Sequence, residues 1–194
     1  MDHRKDKLIL VDCDGVLLDW KYAFYKWMAE SNGLEVMTEG VYDVAATFHI
    51  TKSESRMLVR QFNESARIGF LPWFRDAIKY VKMLHAEGYI FHCITSLSTD
   101  EYAKKARMEN LERLFGKGVF EELICLDCGA DKDEGLLPYK DSGCIWVEDK
   151  PLNAECGANL GLRAILIEHD FNSDYNHTDI LKVKNWKEIY ESIV

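Results

Sequence analysis

Four aliphatic residues, Leu8-Ile9-Leu10-Val11, run directly into Asp12-Cys13-Asp14-Gly15, and no other stretch restricts the fold as much. A short, β-rich apolar run followed by turn residues reads as a buried strand of a helix-covered parallel sheet. Asp12 and Asp14 then stand at the strand's C-terminal end, the edge where open α/β sheets bind ligands. Two neighbouring carboxylates repel each other unless a cation compensates, and hard oxygen ligands at this spacing suit Mg²⁺. Gly15 permits a turn that a Cβ resists. Taken alone, the pattern is equally that of a strand ending in an Asp-Gly turn.

The rest of the chain alternates strand and helix, with one interruption. From Asp19 to about residue 71 the pattern is helical. Trp20, Ala23, Phe24, Trp27 and Met28 recur at helical spacing up to Asn32-Gly33. A short helix is expected within 41–48. Thr51-Lys52-Ser53-Glu54 is a capping box that opens a helix through Met57, Leu58 and Phe62, with Gly69 as its terminator. Pro72 suits the first turn of a following helix, whose buried face is Phe74, Ala77, Ile78, Val81 and Leu84. Strands are expected at 89–94, 123–126, 144–147 and 163–168. Between them, Ser98-Thr99-Asp100-Glu101 reads as a second capping box, Lys132 opens a short helix, and Pro151 starts another. Residues 170–179 read as a loop, and Trp186, Ile189, Tyr190 and Ile193 as a C-terminal helix. Five strands alternating with helices imply an α/β fold with a parallel sheet and right-handed crossovers.

Bulk properties narrow the function classes. The chain has 194 residues, enough for one core and a small appended unit. No apolar run approaches the roughly 20 residues that span a bilayer. Met1–Lys7 carries charges with no signal-type apolar region behind it. A cytoplasmic protein with no membrane partner is the expectation. The formal charge of −9 disfavours a long nucleic acid, but a metal ion and one or two local cations can still hold a small phosphate ester. The six cysteines are expected to be reduced. Cys125-Leu126-Asp127-Cys128 lacks the second Cys/His pair that a zinc site needs.

Parallel strands bring their C-terminal ends to one rim. That rim would gather Asp12 and Asp14, Thr95, Lys132, and Glu148-Asp149. Each has an ordinary reading alone: a strand-end hydroxyl, a solvated lysine, acids favouring a helix N-terminus. Together, in this order, they suit a Mg²⁺–phosphate site, since phosphoryl transfer chiefly needs positioning and charge neutralisation.

Asp12-Cys13-Asp14-Gly15-Val16-Leu17-Leu18-Asp19, Ile94-Thr95-Ser96, Lys132 and Glu148-Asp149 resemble the four ordered motifs of the haloacid dehalogenase-like phosphohydrolase superfamily. The resemblance implies a three-layer, Rossmann-like core (residues 1–18 and 72–194) with a small helical cap (19–71) inserted after the first strand. It implies Asp12 as the nucleophile that forms an aspartyl-phosphate, and Asp14 as general acid and then base. Thr95 and Lys132 would hold the phosphoryl oxygens. Asp12, Asp149 and the backbone carbonyl of Asp14 would bind Mg²⁺, with Glu148 assisting. The fourth motif often reads Gly-Asp-x-x-x-Asp; Glu148-Asp149-Lys150-Pro151-Leu152-Asn153 departs from it, which weakens Asn153 as a ligand. Lys140 is an alternative to Lys132, but stands closer to Glu148 and at the wrong end of the short helix. The layout further resembles the 5′(3′)-deoxyribonucleotidase branch, which makes Trp20, Phe24, Tyr42, Phe48 and Arg67 candidates to meet a base or sugar; packing within the cap is their ordinary alternative.

The expected function is a Mg²⁺-dependent phosphatase for a small phosphorylated metabolite, a nucleoside monophosphate among them. A phosphomutase on the same core, and a non-catalytic phospho-acceptor module, are the alternatives. Oligomeric state is not legible in the sequence.

Overall fold

The computed structural model describes residues 7–194. The reading of Met1–Lys7 therefore lies, Lys7 apart, outside the described residues, as does the start of the expected 1–18 segment.

Six parallel strands form one sheet: β1 (Leu8–Val11), β2 (Ile90–Thr95), β3 (Phe120–Cys125), β4 (Ile145–Glu148), β5 (Arg163–Ile167) and β6 (Leu181–Val183). Their order is β3-β2-β1-β4-β5-β6. β1 is central, with Val11 beside Cys93 on one flank and Val147 on the other. The chain works outward to β3 in one direction and to β6 in the other. The order therefore reverses between β1 and β4, the switch point where such sheets open a crevice.

Alternation along the strands sends side chains to two apolar layers. Ile9, Val11, Val147, Ile165 and Ile167 join the larger core under α4 (Ala77–Ala86), α5 (Glu101–Phe115) and α8 (Trp186–Ile193). Leu10, Trp146, Ala164 and Leu166 join the smaller core under α6 (Asp133–Leu136) and α7 (Pro151–Asn159). Trp146 sets the spacing of α7: a Cβ on Gly157 would lie 2.3 Å from its indole. The result is a three-layer α/β fold.

Between β1 and α4 the chain is helical: α1 (Trp20–Asn32), α2 (Val44–Phe48), α3 (Lys52–Asn63) and a 3-10 turn at Ala66–Phe70. Asp19 caps α1 through Tyr22 N–H, and Gly33 ends it in the left-handed region. Thr51 and Glu54 form the expected capping box of α3. Both ends of this excursion meet in one place. Asp19 N–H donates to the Pro72 carbonyl at 2.9 Å, and Phe74 N–H to that of Leu17 at 2.9 Å.

Four expectations are corrected. Pro72 does not open a helix; residues 72–74 lie alongside 17–19, and α4 starts at Ala77. Gly69 does not end α3. That helix stops at Asn63 because Ser65 caps the following 3-10 turn, its hydroxyl accepting from Arg67 N–H, and Gly69 instead approaches Ala106. Ser98 does not cap α5; Asp100 does, by accepting from Ala103 N–H at 2.8 Å, while Ser98 bonds Glu64 at 2.7 Å. The region after β5 holds a 3-10 turn at Asp170–Asn172 and then a sixth strand. β6 is three residues long with Lys182 at its centre, too short for alternation to show.

Candidate active site

β1 delivers Asp12 to the switch point, and its N–H donates to the Val147 carbonyl at 2.9 Å. β4 delivers Glu148 and Asp149 to the same crevice. Carboxylate oxygens of Asp12, Glu148 and Asp149 lie within 4.8 Å of one another, and all three residues are buried. Burial and the Asp12 charge push Glu148 up to about 7. Burial and its two acidic neighbours raise Asp149 well above the ordinary carboxylate range. A cluster that resists ionisation in this way is one that a hard divalent cation relieves, and Asp12, Glu148 and Asp149 are the donors that would hold it.

The shell around these acids is built to orient them. Glu148 accepts from the N–H groups of Asp149 and Lys150, each at 3.0 Å, and from Asn153 at 3.2 Å. Asn153 thus supports a carboxylate of the cluster. Asn172 ties the Asp149 carbonyl to that of Ile167. His169 Nε2 bonds the Gly15 carbonyl at 2.8 Å and lies 3.8 Å from Asp149. Its ring stacks against Phe74 and Phe171, and burial lowers its pKa. Gly15 has φ +78°, and a Cβ there would lie 2.3 Å from Asp149 Oδ2, so the turn fits only glycine.

Lys132 comes from the loop between β3 and α6. Its ammonium bonds Asp12 Oδ1 at 2.6 Å and the Ile94 carbonyl at 2.8 Å, and it is 2% exposed. Burial works against its charge, but Asp12 and Glu148 outweigh burial and the pKa rises. Lys140 is exposed beyond the short helix. Thr95, the last residue of β2, is buried at the same rim and faces the same cavity as Asp12 and Lys132.

Asp14 stands apart from the three-acid cluster. Arg107 of α5 grips its carboxylate at 2.5 and 3.2 Å and also bonds Cys13 Sγ at 2.8 Å. Burial raises the Asp14 pKa, while the Arg107 charge and hydrogen bond work the other way. A carboxyl with a raised pKa beside such an acidic cluster suits proton donation and return.

Arg107 was not among the candidates read from sequence, nor was His169. Both carry a signal. Arg107 sits on the buried stripe of α5 with Ala103, Ala106, Asn110 and Leu111, and a charge on such a stripe needs a buried partner. His169 follows β5 at the rim that collects the other site residues.

Above the acids lies a cavity of about 750 Å³, roofed by α1–α3 and floored by the strand ends. Trp20 and Tyr42 line it. Phe24 and Phe48 do not: Phe24 is buried and stacked on Trp20 at 4.4 Å, and Phe48 packs against Phe24 and Tyr25. Arg67 lines a smaller pocket elsewhere and pairs with Glu30 at 3.4 Å. For these three the interior and surface contacts of the helices prevail over the cavity. Among the described residues no disulfide joins any of the six cysteines. Among the described residues no helix is long and apolar enough to cross a membrane.

No protein-family model matches the chain, and no curated protein matches it. Solved structures do. A haloacid dehalogenase-like hydrolase from Streptococcus pneumoniae superposes with TM-score 0.68 at 14% identity, over 97% of this chain and 98% of the other. A haloacid dehalogenase superfamily hydrolase from Ehrlichia chaffeensis gives 0.60 at 13% identity, over 96% and 95%. D,D-heptose 1,7-bisphosphate phosphatase from B. bronchiseptica, complexed with magnesium and phosphate, gives 0.61 at 11% identity, over 96% and 97%. The fold is the haloacid dehalogenase-like fold.

Proposed function

We propose that the chain is a Mg²⁺-dependent phosphatase acting on a small phosphomonoester, with Asp12 as its nucleophile. One observation carries this reading: Asp12 is held at 2.6 Å by Lys132 and lies in a cluster with Glu148 and Asp149, at the one rim where β1 through β4 end. A non-catalytic phospho-acceptor needs no roofed cavity of this size.

Asp12 attacks phosphorus through a carboxylate oxygen, and the bond from phosphorus to the ester oxygen breaks. The departing oxygen takes a proton from Asp14. Asp14 then takes a proton from a water molecule whose oxygen attacks the same phosphorus, the Asp12–phosphorus bond breaks, and inorganic phosphate leaves. A carboxylate nucleophile thus splits one difficult hydrolysis into two easier steps. Lys132 and Thr95 orient the phosphoryl oxygens, and Lys132 offsets charge as it develops. Asp12, Glu148, Asp149 and the Asp14 carbonyl would hold Mg²⁺, which when bound would supply further charge neutralisation for the phosphoryl group. The helices over residues 19–71 act as a cap that excludes water from the cavity.

Phosphate release from p-nitrophenyl phosphate, glucose 1-phosphate and nucleoside monophosphates, with Mg²⁺ and with EDTA, tests the reaction. Metal-dependent release supports it. Isomerised sugar phosphate without release indicates a mutase, and stable phosphorylation without turnover indicates a phospho-acceptor.

A further inference from the structure

The wall of the cavity formed by α3 carries two cations whose charge no carboxylate neutralises among the described residues. Lys52, Ser55, Arg56, Val59 and Asn63 all face the cavity. They fall at helical spacing along one stripe of α3, while Leu58 and Phe62 face the interior. The helix has a third cation, Arg60, and the contrast is informative. Arg60 is neutralised by Glu64 at 3.2 Å and Asp127 at 2.8 Å, and so ties α3 to the loop after β3. Lys52 and Arg56 have no carboxylate partner among the described residues. The acid beside them, Glu54, is occupied by its capping box with Thr51. Asp43, also on the cavity wall, caps α2 by accepting from Ala46 N–H. Lys52, at the first position of α3, opposes the helix dipole, and Arg56 makes one local contact, its Nε donating to the Lys52 carbonyl at 3.2 Å, which leaves its charge unpaired.

The stripe also has a direction. At its far end Asn63 bonds the Leu97 carbonyl in the loop after β2, at 2.9 Å, so that end of α3 rests on the catalytic floor. Arg56 lies seven residues back, ~10 Å up the wall at the rise of an α-helix, and Lys52 lies a further turn out. Between floor and cations the lining is aromatic, with Trp20 and Tyr25 on α1.

We infer that Lys52 and Arg56 bind a second anionic group of the substrate, phosphate or carboxylate, at the end remote from the phosphate being cleaved. The preferred substrate class is therefore a phosphomonoester with a distal anion on an intervening apolar or ring-bearing body. This inference rests on the phosphatase reading for the position of the first phosphate.

Hexyl phosphate and hexane-1,6-diol bisphosphate differ only in the distal anion, and the extended bisphosphate matches the height of the wall. Titration calorimetry with Mg²⁺ on the Asp12→Asn protein measures binding without turnover. The bisphosphate should bind at least ten-fold more tightly than hexyl phosphate. In Asp12→Asn carrying Lys52→Gln and Arg56→Gln, the ratio should fall to about two, the statistical factor for two equivalent ends. Because the ratio is internal to each preparation, partial unfolding does not mimic the result. Equal affinities before the change, or a preference that survives it, overturn the inference. Phosphate release by the wild-type chain is measured separately. A binding preference without any release would end the phosphatase reading and leave the distal anion site standing; release without the preference would do the reverse.

Discussion

Arg107 closes on Asp14 with two guanidinium nitrogens, Nη1 at 2.5 Å from Oδ1 and Nη2 at 3.2 Å from Oδ2, and Arg107 itself has no exposed surface. Among the described residues its Nε has no partner, and Asp14 and Cys13 provide its side-chain hydrogen bonding. Removing Arg107 leaves Cys13 and the partly exposed Asp14 carboxyl, 24% exposed and free to take up a proton, without their buried partner. Arg107→Met should therefore destabilise the protein by about 1–3 kcal/mol, a fall in Tm of roughly 5 °C for a chain of this size. The double change Asp14→Leu with Arg107→Met should recover much of that loss. Thermal melts of the two variants beside the wild type decide it; an unchanged Tm for Arg107→Met would show that the pair contributes nothing.

Lys132 and Lys140 make opposite predictions. Lys132→Met removes the cation that touches Asp12 and should lower kcat for a phosphomonoester by about 100- to 1,000-fold, the range for loss of one preorganised charge-stabilising group. Lys132→Arg should not restore it, because a site 2% exposed has no room for the larger planar group. Lys140→Met, on the exposed side of the short helix, should leave kcat/KM within about two-fold. Steady-state kinetics on the three proteins is the measurement.

Gly15 is the position where backbone and metal cluster meet. With φ +78° and a Cβ position 2.3 Å from Asp149 Oδ2, Gly15→Ala must displace either the turn or the carboxylate. The Mg²⁺ concentration for half-maximal activity should rise at least ten-fold. The same Mg²⁺ dependence as wild type would mean that Asp149 is not a ligand.

The acid cluster makes stability depend on pH in an unusual direction. Glu148 is raised from 4.5 to about 7, and Asp149 is raised as well. Between pH 4.5 and 7 the unfolded chain releases protons that the folded chain retains. Metal-free stability therefore falls as pH rises through that window. In EDTA, Tm should be a few degrees higher at pH 5.5 than at pH 7.5, and Glu148→Gln should reduce the difference. Since Mg²⁺ competes with those protons, its stabilising effect should be greater at pH 7.5 than at pH 5.5. Differential scanning calorimetry at the two pH values tests both signs.

What was legible in the sequence follows from the range over which each signal acts. Buried parallel strands announce themselves as apolar runs, and a parallel sheet places their ends together, so Asp12, Lys132, Glu148 and Asp149 could be brought to one rim from their positions alone. The N-cap of α3 was legible because Thr51 and Glu54 are three residues apart. Pro72 misled because its geometry is set by Leu17 and Asp19, fifty-odd residues away, which hold it in a pairing that the local pattern does not display. β6 was missed because three residues with a lysine at the centre carry no periodicity. Arg107 was missed because its partner, Asp14, lies 93 positions earlier in the chain. Phe24 and Trp20 are neighbours on one helix, and spacing alone could not say that only Trp20 faces the cavity.

The central claim is that Asp12 becomes covalently phosphorylated during turnover. Acid-quenched mass spectrometry of the wild-type chain, mixed with Mg²⁺ and p-nitrophenyl phosphate, reads it directly. One phosphoryl group should appear on the peptide that contains Asp12, and Asp12→Asn should show neither the adduct nor phosphate release. A phosphoryl group on another residue, or turnover retained by Asp12→Asn, would contradict the account.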